Sequence, residues 1–307
     1  MKTVFIDGSV GTTGLRIRQR LSDRPDIQLV TLPEELRKNT EARAGALNAC
    51  DLAFLCLPDA AAIEAAEMVE NPDVVLLDTS TAHRTDPSWV YGMPELAGQK
   101  ARIMGSNRIA NPGCHASGFV ALVAPLVQAG IVPKVAALSC FSLTGYSGGG
   151  KKMIAQYEDP NRDPLLDAPR QYAMGQSHKH LPEMVALCGL ETAPIFCPIV
   201  ADFYSGMEVT VSLFKKDLRG SIADIRRIYA EYYTGPLIHF KETADEKGFL
   251  SAAAFSGRDD MEITVTGNDD RILFVSRFDN LGKGASGAAI QNMNIVLGLP
   301  ETTGLEM

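Results

Sequence analysis

Apolar residues fall into two rhythms along this chain, and the change between them divides it. In the first third, short continuous apolar runs alternate with helix-forming segments. Residues 3–6 (TVFI) make one run, which stops at Asp7-Gly8 and gives way to Gly-rich sequence and then to LRIRQRL. Residues 27–31 and 51–57 read as further strands. The second of these is apolar almost throughout, as strands buried on both faces of a parallel sheet are. Pro58 stops it, and Asp59 has the character of an N-cap for the helix AAAIEAAEMVE. Residues 74–77 form a fourth run, ending in Asp78-Thr79-Ser80. This β-α-β rhythm predicts a doubly wound parallel sheet.

From about residue 135 the rhythm becomes one of alternation. Residues 207–214 (MEVTVSLF), 261–266 (MEITVT) and 272–278 (ILFVSRF) read as strands, with a helix over 222–233 between them. Several strands and one helix predict an α+β domain with a mostly antiparallel sheet. The segment 284–297 is helical and rich in small residues. The helix that begins after Cys114, FVALVAPLVQAG, is expected to kink or split near Pro125. The tail ETTGLEM is expected to be disordered or loosely docked.

Composition narrows the function classes. The chain has 307 residues, 46% hydrophobic and 21% charged, with a formal charge of −8 and no long block of one sign. A nucleic-acid binder needs a basic face, so that class is excluded. No run of about 18 apolar residues exists to span a bilayer, and the N-terminus lacks a secretory pattern. Six cysteines without framework spacing point to free thiols in a reducing cytosol, most of them small buried residues.

Five stretches carry candidate chemistry. Gly8, Gly11 and Gly14, with Thr12 and Thr13 between, stand between the first strand and the first helix, where glycines let a pyrophosphate approach the backbone at a helix N-terminus. A bare Gly-rich turn is the alternative. Thr31-Leu32-Pro33 occupies the place where an acidic residue would hold the ribose of NAD, which favours NADP; Arg37 and Lys38 are nearby sources of positive charge. Asn111-Pro112-Gly113-Cys114 places a thiol at or just before a helix N-terminus, where free N–H groups and the dipole favour the thiolate. Taken alone, Cys114 is as readily a buried inert residue. His178-Lys179-His180-Leu181-Pro182-Glu183 offers imidazoles for proton transfer. An extended segment would put both rings on one side, with Glu183 to orient one; a zinc site with Cys188 or a surface loop are the alternatives. GYSGGGKK, residues 145–152, approaches a P-loop but has Lys152 where Ser or Thr would hold Mg²⁺, so a flexible anion-friendly loop or a hinge is expected. Arg84, after the fourth strand, could clamp an anion or pair with a structural Asp.

Together GSVGTTG, DTSTAHR, NPGCHASG, GYSGGGKK and HKHLPE resemble the short form of the N-acetyl-γ-glutamyl-phosphate reductases, over most of the chain up to NLGKGASGAAIQNMN. The resemblance implies a Rossmann domain (1–114 plus 285–307) binding NADP, and a catalytic and oligomerisation domain (115–284), as in semialdehyde dehydrogenases. It implies Cys114 as nucleophile and His178 as acid/base, with His180 the other claimant. It sets Gly8, Gly11, Thr12, Thr13 and Gly14 along the pyrophosphate, and Ser147, Gly148 and Asn280 at the nicotinamide end. Arg84, His180 and Glu183 are its substrate-binding candidates. The implied reaction is the NADPH-dependent reduction of N-acetyl-glutamyl 5-phosphate through a cysteine thioester, in arginine biosynthesis, by a cytoplasmic dimer or tetramer without a metal. Aspartyl or amino-adipyl phosphate are the rival substrates, and a non-catalytic NADP-binding regulator is the rival of another class.

Overall fold

In the computed structural model, which describes residues 1–307, the apolar runs of the first third become the central strands of one parallel sheet. The chain divides into two units, Met1–Gly113 with Ala285–Leu305 and Cys114–Gly284 with Glu306–Met307. The first contains β1 (Lys2–Asp7), α1 (Thr12–Leu21), β2 (Ile27–Val30), α2 (Thr40–Ala49), β3 (Leu52–Leu55), α3 (Asp59–Glu67), β4 (Val75–Asp78), β5 (Val90–Tyr91), α4 (Gln99–Met104) and β6 (Arg108–Ala110). Its six strands lie in the order β2-β1-β3-β4-β6-β5, every pair parallel.

Alternate strand residues feed two apolar layers, which is the period-2 geometry of a strand acting on an uninterrupted run. Val4, Ile6, Phe54 and Leu77 meet Ile17 and Leu21 of α1 on one face, together with Ile290 and Met293 of the last helix, Gly287–Val296. Phe5, Ala53, Leu55 and Leu76 meet Leu47 of α2 and Ala62 and Ala65 of α3 on the other. Removing Phe54 or Leu77 from water stabilises by roughly 1.5–3 kcal/mol each. Two expectations fail here. Asp59 does not cap α3: Pro58 holds the cap position, and the Asp59 carboxylate accepts from the N–H and hydroxyl of Thr81. The tail is docked, because Arg24 Nη1 donates to the Thr303 carbonyl, Asn294 Nδ2 donates to those of Glu301 and Thr303, and Leu305 packs on the first apolar layer.

The second unit contains α5 (Cys114–Gln128), β7 (Ser139–Gly145), α6 (Gly150–Glu158), β8 (Arg170–Gln171), α7 (Leu181–Cys188), β9 (Ile195–Ala201), β10 (Met207–Phe214), α8 (Ile222–Tyr232), β11 (Ile238–Lys241), β12 (Met261–Gly267) and β13 (Arg271–Phe278). Its seven strands run β11-β12-β13-β10-β7-β9-β8. Only β11·β12 and β7·β9 are parallel, so the sheet is mixed and mostly antiparallel. Two more helices than the sequence suggested, α6 and α7, complete it, and both lie outside the alternating strands. Met207, Val209, Val211 and Leu213 of β10 alternate inward. Helix α5 packs against β10 and β13 and also touches α7 and α8, which is why it is apolar nearly all round.

Pro125 does not split α5, which runs unbroken to Gln128. A helical proline has no N–H for the carbonyl four residues earlier. Here that carbonyl, Ala121, accepts instead from the Tyr233 hydroxyl at 2.6 Å, and the next, Leu122, accepts from the Tyr229 hydroxyl. No helix is long and apolar enough to cross a membrane.

Candidate active site

In the first unit, β1 hands the chain to α1 through a turn that only glycine can make. Gly8 has φ +87°, and a Cβ there would lie 2.3 Å from the Cys56 carbonyl oxygen of β3's exit; a Cβ on Gly14 would lie 2.6 Å from the Gly8 oxygen. The backbone is thereby pressed against the sheet edge. Gly11 is the extended cap of α1, no side chain caps that helix, and no acid stands in its first turn, where Thr12 and Thr13 are half-exposed. Such an end presents backbone N–H groups and the positive pole of the dipole to an anion. The cradle fits a dinucleotide pyrophosphate. After β2 no carboxylate precedes Glu34, which is spent on Arg37 at 2.5 Å. Asp7 beneath the turn is held by Arg43 at 2.9 Å, and burial still pushes its carboxyl above the usual range.

At the exit of β4 the sequence reading missed a network. Asp78, fully buried, accepts from the N–H and hydroxyl of Ser80 and pairs with His83 Nδ1 at 2.7 Å; the His83 ring stacks on Trp89. Arg84 donates to the carbonyls of Asn111 at 2.9 Å and Thr79 at 3.1 Å.

The second unit holds the candidate nucleophile. Cys114 is the first residue of α5 and half-exposed. Asn111 is pinned by a 2.7 Å bond to the Asp78 carbonyl and by its own amide on Ala285, and Pro112-Gly113 then turn into the helix. Gly284 backs the thiol: a Cβ there would come within 2.9 Å of Cys114 Cβ. The other thiols differ. Burial raises Cys50 to about 11 and Cys56 to about 12, and holds Cys140 and Cys188 far above the usual thiol range. Cys188 is the buried last residue of α7, and Cys197, half-exposed, lies on β9.

Both histidines of the HKH motif gather with a third that the sequence reading passed over. The segment is a turn into α7 rather than a strand, yet the rings of His178 and His180 lie 4.7 Å apart, edge to face. Both centroids are 5.5 Å from that of His115. His178 is half-exposed and its Nδ1 accepts the His180 backbone N–H at 3.1 Å, which leaves the proton of the neutral ring on Nε2. His180 is buried, its Nε2 3.9 Å from the buried Glu183 carboxylate. Ser142 and Tyr172 contact His115, and burial, with the charge of Cys114 second, lifts the Tyr172 phenol well above its ordinary range. Only one signal in the sequence marked His115: a polar residue just inside an apolar helix. Tyr172 lies in a loop and had none.

Ser147, Gly148 and Asn280 also converge. Asn280 Nδ2 donates to Ser147 Oγ at 3.0 Å, its Oδ1 accepts from Gly206 N at 2.9 Å, and a Cβ on Gly148 would lie 3.5 Å from Asn280 Nδ2. Asp279, also missed, gathers the N–H groups of Leu281, Gly282 and Gly257 and the Ser205 hydroxyl. The GYSGGGKK segment is no flexible loop: residues 146–149 form a tight turn into α6, on the connection from β7 to its parallel neighbour β9, with Lys151 and Lys152 exposed.

Comparison with known proteins adds relatives to this geometry. Residues 114–280 match the family described as semialdehyde dehydrogenase, dimerisation domain, and residues 31–103 match semialdehyde dehydrogenase, NAD binding domain. N-acetyl-gamma-glutamyl-phosphate reductase of Brucella ovis is 44% identical over 305 residues, covering 96% of this chain and 98% of the relative. N-acetyl-gamma-glutamyl-phosphate reductase 2 of a Nostoc species is 43% identical over 317 residues, covering 98% of each. Among solved structures, aspartate semialdehyde dehydrogenase II of Vibrio cholerae, complexed with ASA, superposes with a TM-score of 0.72 at 16% identity, over 97% of this chain and 98% of that one. Aspartate semialdehyde dehydrogenase with NADP from Candida albicans gives 0.68 at 18%, over 97% and 98%. At those identities the solved structures establish the fold alone.

Proposed function

This chain belongs to the N-acetyl-γ-glutamyl-phosphate reductase family, and on that premise we propose that Cys114 carries its substrate as a thioester with His178 as the proton-handling partner. The chain is an NADP-dependent oxidoreductase of arginine biosynthesis, reducing N-acetyl-glutamyl 5-phosphate to N-acetyl-glutamate 5-semialdehyde and phosphate. The observation that carries the site assignment is the half-exposed sulfur at the start of α5, on the helix turn that also bears His115, whose ring neighbours His178 and His180.

The first unit serves as the cofactor domain. Gly8, Gly11 and Gly14 let the pyrophosphate reach the backbone, and Thr12 and Thr13 lie along it at the first turn of α1. Bound NADPH supplies the hydride. The absence of a carboxylate after β2 leaves room for a 2′-phosphate. Ser147, Gly148 and Asn280 are assigned to the nicotinamide end. In the second unit, the Cys114 thiolate forms a bond to the acyl carbon as the carbon–oxygen bond to phosphate breaks. After reduction of the thioester carbon, the carbon–sulfur bond breaks, the aldehyde leaves and the thiolate returns. Phosphate departs needing a proton, and Nε2 is the atom at which His178 holds and hands over one. His180, beside Glu183, is the substrate-contacting member of the pair. Arg84, tied to two carbonyls, fixes the chain at Asn111 and serves substrate through it.

The outward face of the second sheet carries Phe141, Leu143, Ile195, Cys197 and Ile199, too apolar to face water comfortably, and a second copy of the chain is its proposed cover. Six free thiols suit a cytoplasmic location. The test of the mechanism is to mix enzyme with acyl phosphate without NADPH, quench in acid and map the adduct by mass spectrometry. An acyl group on Cys114 is expected; an adduct elsewhere, or turnover with none, overturns the assignment.

A further inference from the structure

A closed chain of hydrogen bonds in the second unit has no part in the steps above. His115 is 3% exposed on the first turn of α5 with both ring nitrogens engaged. Its Nδ1 is 2.6 Å from Ser142 Oγ on β7, and its Nε2 is 2.7 Å from the Tyr172 hydroxyl. Burial, with the neighbouring His178 second, holds its pKa down to about 3, so the ring is neutral at working pH. A neutral imidazole has one N–H, and only two arrangements satisfy both contacts. In one, Nδ1–H donates to Ser142 and Nε2 accepts the Tyr172 O–H, which turns the phenol proton inward. In the other, the Ser142 O–H donates to Nδ1, and Nε2–H donates to the Tyr172 oxygen, which frees the phenol proton to point elsewhere.

The reacting sulfur belongs to the residue before His115, at the start of the same helix turn. Burial, with the charge of Cys114 second, raises the Tyr172 phenol. The Tyr172 ring lies 5.9 Å from that of His178, and the side chain is half-exposed. The phenol stays protonated, and an N–H donated into its oxygen makes its own O–H a stronger donor. Ser142 is fully buried on β7, so its place under the ring is fixed by the sheet.

We propose that His115 is a positioning residue that turns the Tyr172 O–H toward the oxygen on the acyl carbon attached to Cys114, making Tyr172 a catalytic hydrogen-bond donor to the developing oxyanion. No proton changes owner: the bond from Tyr172 strengthens as the oxygen gains charge and relaxes as the aldehyde leaves. The inference rests on the thioester reading, and the acid-quench adduct on Cys114 tests that reading separately.

The experiment is a double-mutant cycle with His115→Phe and Tyr172→Phe, read as kcat and KM for the acyl phosphate with NADPH. Loss of one oxyanion donor lowers turnover by about 100-fold. Each single variant is expected to show that fall with KM within about threefold, and the double variant to fall no further than either single. Thermal midpoints and the rate of Cys114 alkylation by iodoacetamide are followed in each variant, and the alkylation rate is expected to stay near that of the parent. His115→Gln, whose side-chain amide can still donate to Tyr172, should recover at least about tenfold over His115→Phe. If His115→Phe does not fold, the single variants decide the point, with a fall in kcat of about 100-fold expected in Tyr172→Phe and of no more than about tenfold in His115→Gln. Additive losses in the double variant, near-parental kcat in Tyr172→Phe, or no recovery in His115→Gln each overturn the proposal, and an intact Cys114 adduct in those variants shows that the thioester reading survives it.

Discussion

Two helix N-termini in this chain solve the same electrostatic problem in opposite ways. Helix α1 begins at Gly11 with no capping side chain and no acid in its first turn, whereas α5 begins with Cys114 itself. Both ends carry the positive pole of a helix dipole. At α1 the negative charge must come from a ligand, and the glycines that press the turn onto β3 make room for one. At α5 the chain itself places a sulfur, backed by Gly284 and followed in the same turn by His115, whose ring neighbours that of His178. On the proposed assignment, one structural device serves binding at α1 and reactivity at α5, according to whether the chain puts a side chain of its own there.

Breaking the second end while sparing the first gives the largest effect. Cys114→Ser keeps the size and the helix but replaces a thiol with an alcohol, which ionises far less readily and is the poorer nucleophile. Semialdehyde formation should fall by more than about 1,000-fold, while NADP binding measured by calorimetric titration stays within twofold of the parent. Residual turnover above that level would show that the sulfur is not the nucleophile.

The complementary break is Gly8→Ala. Its φ of +87° and a Cβ 2.3 Å from the Cys56 oxygen combine backbone strain with a backbone clash. Strain of this kind costs about 1–2 kcal/mol, and displacing a packed backbone adds about 1–3 kcal/mol. The thermal midpoint should drop and the NADP dissociation constant should rise at least about tenfold, while iodoacetamide alkylates Cys114 at the parental rate. A variant that binds NADP as well as the parent would remove the turn from the cofactor site.

The two ends were not equally legible in the sequence. The α1 end was read from spacing alone, because a Gly-rich turn between an apolar run and a helix is a local pattern and local chemistry dictates it. Cys114 was read as a helix start from Pro112-Gly113, again locally. Its surroundings were not. Tyr172 sits 58 positions away in an irregular loop, and nothing in its neighbours announces that its hydroxyl meets His115. The Pro125 error has the same origin: the helix survives because Tyr233, on a distant segment, supplies the hydrogen bond that proline cannot. The β4 network of Asp78, Ser80 and His83 was visible as DTSTAH but its pairing was not, since any of several polar residues could have faced the carboxylate.

A smaller effect separates the two ends by pH. The first turn of α1 contains no titratable side chain, but that of α5 carries His115, whose pKa falls from 6.5 to about 3 on folding because burial, then His178, disfavours its charge. As pH drops below 6.5 the unfolded chain takes up a proton that the folded chain refuses until near 3, so stability is lost across that window. The slope is about 1.4 kcal/mol per pH unit for one proton. Urea titrations of parent and His115→Gln at several pH values between 7 and 4 should show the parent steeper by about that amount. Equal slopes would mean the ring is not held neutral.

The smallest expected effect tests how α5 keeps its active end in place. Helix α1 is amphipathic and held along one face, but α5 is buried nearly all round, and its one internal weakness is the turn before Pro125. Tyr233→Phe removes the hydroxyl that satisfies the Ala121 carbonyl while leaving the ring in its packing. A buried carbonyl left without a donor costs about 1–3 kcal/mol, so the denaturation midpoint should fall accordingly. The Ala121 carbonyl lies two helical turns from Cys114, and the sheet holds the intervening residues through β10 and β13, so kcat should stay within about threefold of the parent. A large loss of turnover with little loss of stability would mean that the proline turn transmits to the thiol, and the α5 end would then owe its reactivity to the whole helix rather than to its first turn.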